Sequence, residues 1–478
     1  MIVLGIDVGT TGTKTLALND NGEILGRGYH EYGLITRPGG IVEQKASDWY
    51  DAVVISARQA TEGLEKDDIA AISLSTQGAS MTAVDSDFNE LCNVITWMDR
   101  RAVEESDYIN GVIGSENVYR TTGYSIGPSI DAPKILWLRK NNPELTEKTH
   151  SYVSTIEYIN YKLTGVNVID PTNAAIRGMF DINKVCWSDK ILAAMELDPK
   201  LLPETAVSGT CIGRLTETAA SDLGLSRDVK VYLGAHDQYC AALGSGAVNA
   251  GDMLLSTGTT WVVLGISDRI IYSSSHISPG IHPVKGLYGE LASLKNGGSA
   301  LKWYKQLVSA ESYADLDANA AERLHSSAGL LFAPYFNGAG FPTSDNTRFG
   351  SLQGLQLHHD KYDIARALME GVAFEIRRTL DEFAANGLEV KNLKFMGGAA
   401  NSRLWTEITG YITGCRMTRM TESEACALGA ALIAGVGCGM LPSYDIGLAS
   451  EDIELSDKSL YDFYDDKFND YVNFVTRM

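Results

Sequence analysis

Apolar and polar positions along the chain fall into two stretches with the same opening layout. Residues 1–4 form an apolar run that enters a Gly/Thr turn at 9–12, after which residues 14–18 resume as a strand. Asn21 and Gly22 make the preferred dipeptide of a tight hairpin, so residues 23–32 read as the returning strand. Three antiparallel strands are thus expected before any helix. Ser47 and Asp48 can cap a helix that carries Trp49, Val53, Ile55 and Ala57 toward Leu64. Residues 69–74 read as a buried strand that ends in the polar loop 75–78. Helical periodicity follows over 134–139, 156–163 and 190–195, then an apolar strand over 229–233 delivers the chain to residues 234–238 and a short helix over 239–243.

The second half repeats the opening theme. Residues 252–256 form a strand, 257–260 a Gly/Thr turn, and 261–265 a second strand. A long helix is predicted over 364–383, with Ala365, Leu368, Val372 and Ile376 on one side. A strand over 393–396 runs into Gly397 and Gly398, and another helix is expected over 424–434. The pattern as a whole describes an α/β protein whose sheets are not purely parallel. At 478 residues the chain exceeds what one core usually supports. Two domains are therefore expected, 1–245 and 246–478, divided where Gly244 and Gly246 break the pattern.

Composition narrows the function. A formal net charge of -20 argues against broad electrostatic binding to DNA or to an anionic membrane, yet leaves room for a local anion site made of backbone amides. The seven cysteines are scattered, with no Cys-x-x-Cys pair, so neither a disulfide framework nor a zinc site follows. A reduced, cytoplasmic protein is the expectation. No signal peptide is visible, and the apolar run over 427–436 is interrupted by glycine and too short to span a bilayer.

The first Gly/Thr turn poses a chemical question. Thr13 separates Gly12 from Lys14, so the spacing of a Walker loop fails, and an acid, Asp7, sits among the glycines. A carboxylate beside phosphate repels it unless a cation lies between them, and magnesium held partly through water fits that place. Two Gly/Thr turns could hold the ends of a nucleotide polyphosphate, although either turn alone reads equally well as a tight hairpin. Asp237, at a strand–helix junction, can accept the proton of an alcohol during phosphoryl transfer, while an Asp there by itself most often caps the helix. His236 beside it reads as a hydrogen-bonded structural residue. Gly397, Gly398 and Asn401 could let backbone lie against an adenine or ribose, but they do not match Gly-x-Gly-x-x-Gly, so no dinucleotide fold is supported.

Together these motifs resemble the FGGY family of carbohydrate kinases, within the actin and sugar-kinase superfamily. The resemblance runs from Gly5 to about Gly439 and includes Asp7, Gly9, Thr10 and Thr11; Glu43 and Gln44 before Asp48 and Trp49; and Trp97, Asp99 and Arg101. It continues through Pro133, Lys134 and Trp137; Thr164 and Gly165; Gly234, Asp237 and Gln238; Ser256 to Thr259; Arg366, Glu370 and Gly371; and Gly397 to Ala399. The resemblance implies two actin-like (ribonuclease H-like) domains, each with a mixed five-stranded sheet flanked by helices, closing over a cleft. The N-terminal domain would bind mainly sugar and the C-terminal one mainly ATP. It further implies magnesium on Asp7 and the base at Asp237. ATP would be contacted by Thr10, Thr11, Lys14, Thr257, Gly258, Thr259, Gly298, Gly397, Gly398 and Asn401.

The sugar is less legible. Xylulokinases commonly follow the glutamine equivalent to Gln77 with Met-His, and glycerol kinases with Arg-Glu; this chain has Gly78 and Ala79, which supply neither imidazole nor guanidinium. Some L-xylulose kinases resemble it here. Gln77, Gly78, Ala79, Asp99, Asp237 and Gln238 are the expected substrate residues, with an Asp99 salt bridge to Arg100 or Arg101 as an equal reading of that acid. The expected substrate is a pentulose or similar polyol. Glycerol or a tetritol, an L-xylulose-type substrate, and a non-catalytic sugar sensor on the same scaffold are the alternatives. The partner expected is thus a small sugar, with neither nucleic acid nor membrane, and a homodimer is allowed without being specified.

Overall fold

The computed structural model describes residues 1–258, 260–390 and 392–478. They divide into two units, each built around a mixed sheet. The first takes Met1–Val248, Ser278–Gly289 and Glu424–Gly447, and the second takes Asn249–Ile277, Glu290–Ser423 and Leu448–Met478. The expected boundary at 245/246 is therefore crossed by two later segments. One of them carries the helix Ala425–Gly437, which leaves the second half of the chain to pack on the first sheet.

In the first unit the strand Ile2–Val8 pairs antiparallel with Gly12–Asn19 and parallel with Ile69–Thr76. Ile24–Glu31 returns along Gly12–Asn19, as the Asn21-Gly22 turn predicts, and Lys230–His236 lies parallel on the far side of Ile69–Thr76. Gly22 adopts φ 79°, the left-handed conformation that glycine takes without a Cβ penalty. Among the described residues the expected five strands become six, because Cys211–Arg214 adds an antiparallel edge to Lys230–His236, and the second large sheet has seven. The first helix, Ala46–Ala60, starts ahead of the expected Ser47/Asp48 cap: Lys45 is its N-cap and makes no side-chain cap bond. Asp48 falls in the first turn instead, where its charge suits the helix dipole.

Two backbone approaches set the geometry of this unit. A Cβ on Gly5 would lie 1.9 Å from the carbonyl oxygen of Ala427, so only glycine lets the helix Ala425–Gly437 rest this close to the first strand. That helix also meets Asp237–Gly244 backbone to backbone: a Cβ on Gly429 would lie 1.9 Å from the Cys240 carbonyl oxygen. The apolar run near residue 430 is thus a buried helix that fixes the helix beginning at Asp237.

In the second unit Asp252–Thr257 pairs antiparallel with Trp261–Ser267 and parallel with Asn392–Gly397, repeating the arrangement of the first. The helix Lys361–Ala385 is capped by a reciprocal Asp360/Asp363 box and buries Ala365, Leu368, Val372 and Ile376, the face its sequence period implies. On the same helix Glu370 is buried and accepts from Arg366 Nε at 2.9 Å, from Tyr464 Oη at 3.2 Å and from Lys467 Nζ at 2.5 Å. The landmark Arg366–Glu370 pair therefore docks the C-terminal helix Ser459–Thr476. Glu370→Ala leaves two cations buried without their carboxylate and is expected to cost about 3–5 kcal/mol of stability. Urea unfolding checks this; a loss below about 1 kcal/mol would mean water replaces the pair. All seven cysteines are free, and among the described residues no helix is long and apolar enough to cross a membrane.

Candidate active site

The carboxyl ends of three adjacent parallel strands bring the first cluster together. In register, Asp7 lies opposite Ser75 on one side and Lys14 on the other, while Thr76 lies opposite His236 on the next strand. Ligands of open α/β sheets bind at such strand ends. Asp7 accepts a hydrogen bond from Ser75 Oγ at 2.7 Å. Burial pushes its carboxyl up to about 7 against the effect of Ser75, and the negative charge of Asp237 pushes in the same direction. The two acids expected to matter are thus near neighbours.

Asp237 does not cap its helix. His236 holds the N-cap position, its side chain makes no capping bond, and Asp237 is the first helical residue. Asp237 Oδ1 is buried without a hydrogen-bond partner, 3.4 Å from His236 Nε2. A carboxylate oxygen left this way on a strand-end helix is available to a ligand.

Around it, Gln77 is buried, donates Nε2 to Gln44 Oε1 at 3.1 Å, and takes its backbone position from a bond to the Val8 carbonyl. Ala79 adopts φ 49°, and the fully buried Lys134 donates to its carbonyl at 2.6 Å. Burial pulls that ammonium down to about 8 despite the Asp131 carboxylate beside it. Gln238 carries a buried, unpartnered Oε1. Asp99 differs from the other expected substrate residues. Both its oxygens are taken, by the amides of Val42 and Arg101 and by the Arg101 guanidinium, at 2.7–3.0 Å. Burial raises its carboxyl, but those bonds outweigh it and hold the group below its ordinary value. Asp99 stands in the ion pair with Arg101, and a sugar hydroxyl would have to displace one of these partners.

Gly78 has a role that its identity alone did not disclose. A Cβ there would lie 2.5 Å from His236 Cδ2 and 2.7 Å from its Nε2. The space that the short Gly-Ala pair leaves is filled by the His236 ring, which arrives from another strand. The sequence signal was present only in two separate readings, a glycine after the glutamine and a structural histidine before the acid.

The turn Gly9–Gly12 closes with the Gly9 amide donating to the Gly12 carbonyl at 3.1 Å. Thr10 receives Trp97 Nε1 on its hydroxyl at 3.0 Å and Gln44 Nε2 on its carbonyl at 2.7 Å, while Thr11 is exposed. Lys14, expected on ATP, pairs with Glu424 Oε2 at 2.7 Å. Burial lowers the Lys14 ammonium, yet Glu424 holds it above its ordinary value.

The second unit assembles its own group. Thr257 Oγ1 donates to the Met396 carbonyl at 2.6 Å and accepts from the Ala399 amide at 3.2 Å. Gly397, at φ 96°, lies so close that a Cβ would meet the Thr257 carbonyl at 2.8 Å. Thr257, Gly258, Gly298, Gly398 and Asn401 line one cavity of about 800 Å³, a size suited to a nucleoside. Thr259 lies outside the described residues. Among those described, no cluster of three or more His, Cys, Asp or Glu could hold a metal. Magnesium needs no such cage: it commonly uses one or two carboxylates with water and substrate phosphates, and the partly exposed Asp7 beside Asp237 fits that demand.

Taken separately, the first unit holds a Gly/Thr turn and an unpartnered strand-end acid, and the second a nucleoside-sized cavity, features that suit a phosphotransferase acting on a small alcohol. The chain belongs to the FGGY family of carbohydrate kinases: the family's N-terminal domain matches residues 2–244 and its C-terminal domain residues 253–438. It is 28% identical over 443 residues to a xylulose kinase of Staphylococcus xylosus, covering 91% of this chain and 90% of that protein. It is also 28% identical over 465 residues to a gluconokinase of Bacillus licheniformis, covering 93% of this chain and 89% of that one. Ligand-bound xylulose kinase from Lactobacillus acidophilus superposes with a TM-score of 0.93 at 26% identity, covering 100% of this chain and 98% of the other. Family and fold are thereby shared with proteins named for different sugars.

Proposed function

We propose that the protein transfers the terminal phosphate of ATP to a hydroxyl of a pentulose, with Asp237 as the base. The observation that carries this reading is the buried, unpartnered Oδ1 of Asp237 at the strand ends, next to a second acid. Asp237 accepts the proton of the sugar hydroxyl as its oxygen attacks phosphorus, and the carboxylic acid that results releases the proton after transfer. Gln238 Oε1 accepts from a neighbouring sugar hydroxyl, and Gln77, Gly78 and Ala79 form the wall against which the ketose lies. The Thr257–Gly258 and Gly397–Gly398 turns, with Asn401, hold the nucleotide. Asp7 would hold magnesium, which shields phosphate charge and makes the neighbouring acid tolerable. The first unit is thus mainly the sugar domain and the second mainly the ATP domain. The free thiols suit a reducing compartment, and the cytoplasm is the proposed location.

A panel of pentuloses, D-gluconate, glycerol and tetritols with ATP, read by ADP release, tests the reading. Turnover of a pentulose well above the rest is expected. Turnover of gluconate or glycerol alone would replace the substrate, and sugar binding without ADP release would make the protein a sensor.

The raised Asp7 carboxyl also sets a pH dependence. With its folded value near 7, protons compete with the metal below neutrality, so the apparent magnesium constant is expected to rise about fivefold between pH 7 and pH 6. Between about pH 4 and 7 the folded chain binds more protons here than the unfolded chain, so this group's contribution to stability falls as pH rises through that window. Magnesium titrations at pH 6, 7 and 8 check the first effect; a flat constant would mean that Asp7 does not hold the ion.

A further inference from the structure

A buried carboxylate that no step of the transfer uses ties together the two strand ends that carry the site. Asp170, Thr172, Asn173 and Thr76 are all buried. Asp170 caps the helix Pro171–Ile176, its Oδ1 accepting from the amides of Thr172 at 2.8 Å and Asn173 at 3.2 Å. The same oxygen accepts from the Thr172 hydroxyl, and Oδ2 accepts from Asn173 Nδ2 at 2.7 Å. From this carboxylate two arms reach the sheet. Thr172 Oγ1 accepts from the His236 amide at 2.7 Å, and Asn173 Oδ1 accepts from Thr76 Oγ1 at 3.3 Å. His236 and Thr76 are register partners at the carboxyl ends of adjacent parallel strands, and the residues that follow them are Asp237 and Gln77.

The arm through Thr172 is the shorter one, and its direction is fixed. An amide can only donate, so the hydroxyl must accept there, and its single proton is committed to Asp170. The pairing of Lys230–His236 with Ile69–Thr76 shifts register between Tyr232 and Ala235, so the ladder does not by itself fix where the last residues lie. The His236 amide is anchored instead from a third element, one residue ahead of the acid. The same short helix ends at Ile176, whose Cγ2 would lie 3.0 Å from a Cβ on Gly78. One element thus touches both the wall at Gly78 and the backbone that carries Asp237.

We propose that Thr172 is a positioning residue of the phosphoryl transfer: its hydroxyl, oriented by Asp170, holds the His236 amide and so sets where the Asp237 carboxylate stands. This rests on the reading of Asp237 as the base. Thr172→Val keeps the shape of the side chain and removes the hydroxyl, so kcat should fall about tenfold while the KM values for sugar and ATP stay within about twofold. Thr172→Ser, which restores the hydroxyl, should bring kcat back to within about twofold of wild type. Ser56→Ala is the control, since it removes another buried hydroxyl of this unit, bonded to Thr15 Oγ1 at 2.8 Å, and should lose stability without losing kcat.

Wild-type kcat in Thr172→Val would overturn the assignment. So would a serine variant as slow as the valine one, a control as slow as either, or a raised sugar KM at unchanged kcat. Should Thr172→Val fail to fold, Thr172→Cys carries the comparison against Thr172→Ser: both lack the methyl, and the thiol is a poor hydrogen-bonding group. The cysteine variant should then be several-fold slower, and equal kcat would sink the idea. Asp237→Asn, assayed beside them, separates the two claims. If it is inactive while Thr172→Val matches wild type, only the positioning fails; if it turns over normally, the base itself is wrong and the positioning falls with it.

Discussion

Asp237→Asn is expected to fold as the wild type does and to bind ATP unchanged, while turnover falls about 10²–10⁴-fold. The substitution keeps the shape of the side chain and removes its capacity to take a proton. Asp237 caps nothing and its Oδ1 makes no hydrogen bond, the nearest cationic atom being His236 Nε2 at 3.4 Å, so little stability is at stake. A cap, by contrast, would cost stability when altered. Thermal unfolding, nucleotide titration and steady-state turnover together separate the two roles. A destabilised variant with ordinary turnover would return Asp237 to a structural part, and turnover that persists in a stable variant would mean another group takes the proton.

The second large effect is expected at a position with no chemistry of its own. Gly78→Ala sets a methyl 2.5 Å from His236 Cδ2 and 3.0 Å from Ile176 Cγ2, far inside contact distance. The ring is buried and must move by roughly 1 Å, and His236 adjoins the base. Displacements of that size near reacting groups cost about 10²-fold in rate. We expect kcat/KM for the sugar to fall about 10–100-fold with nucleotide affinity unchanged. Adding His236→Ala to Gly78→Ala removes the collision, so the double variant should outperform the single Gly78→Ala variant. If Gly78→Ala alone is neutral, the ring has somewhere to go and the glycine does not shape the pocket.

Much of the scaffold was legible from pattern alone, because its elements answer to local rules. The Asn21–Gly22 hairpin, the long helix with Ala365, Leu368, Val372 and Ile376 inward, and the strand–turn–strand repeat at Asp252–Ser267 all follow from periodicity and turn chemistry. Helix starts were less certain: Lys45 rather than Ser47 precedes the first helix, since packing of Ala46 and Trp49 outweighs a cap. The acid at 7 stood out because a carboxylate among glycines at a strand end would repel phosphate without a cation, whereas Asp237 read by itself as a helix cap and gained its role from the motifs around it. What pattern could not supply was the company each side chain keeps. Asp99 read equally as a sugar contact or as the partner of Arg100 or Arg101, and it pairs with Arg101; Lys14, expected on ATP, pairs with Glu424.

The sequence by itself determined the element types and the first Gly/Thr turn, and it singled out side chains with the chemistry to move a proton or bind a phosphate, because these depend on near neighbours in the chain. Only the tertiary structure decided that residues 7 and 237 stand together, that His236 occupies the space beside Gly78, and that a helix from residue 425 packs on the first sheet. Those are contacts across 158 or more positions of chain, between Gly78 and His236 at the shortest. They are set by which surfaces exclude water together, which no local rule records.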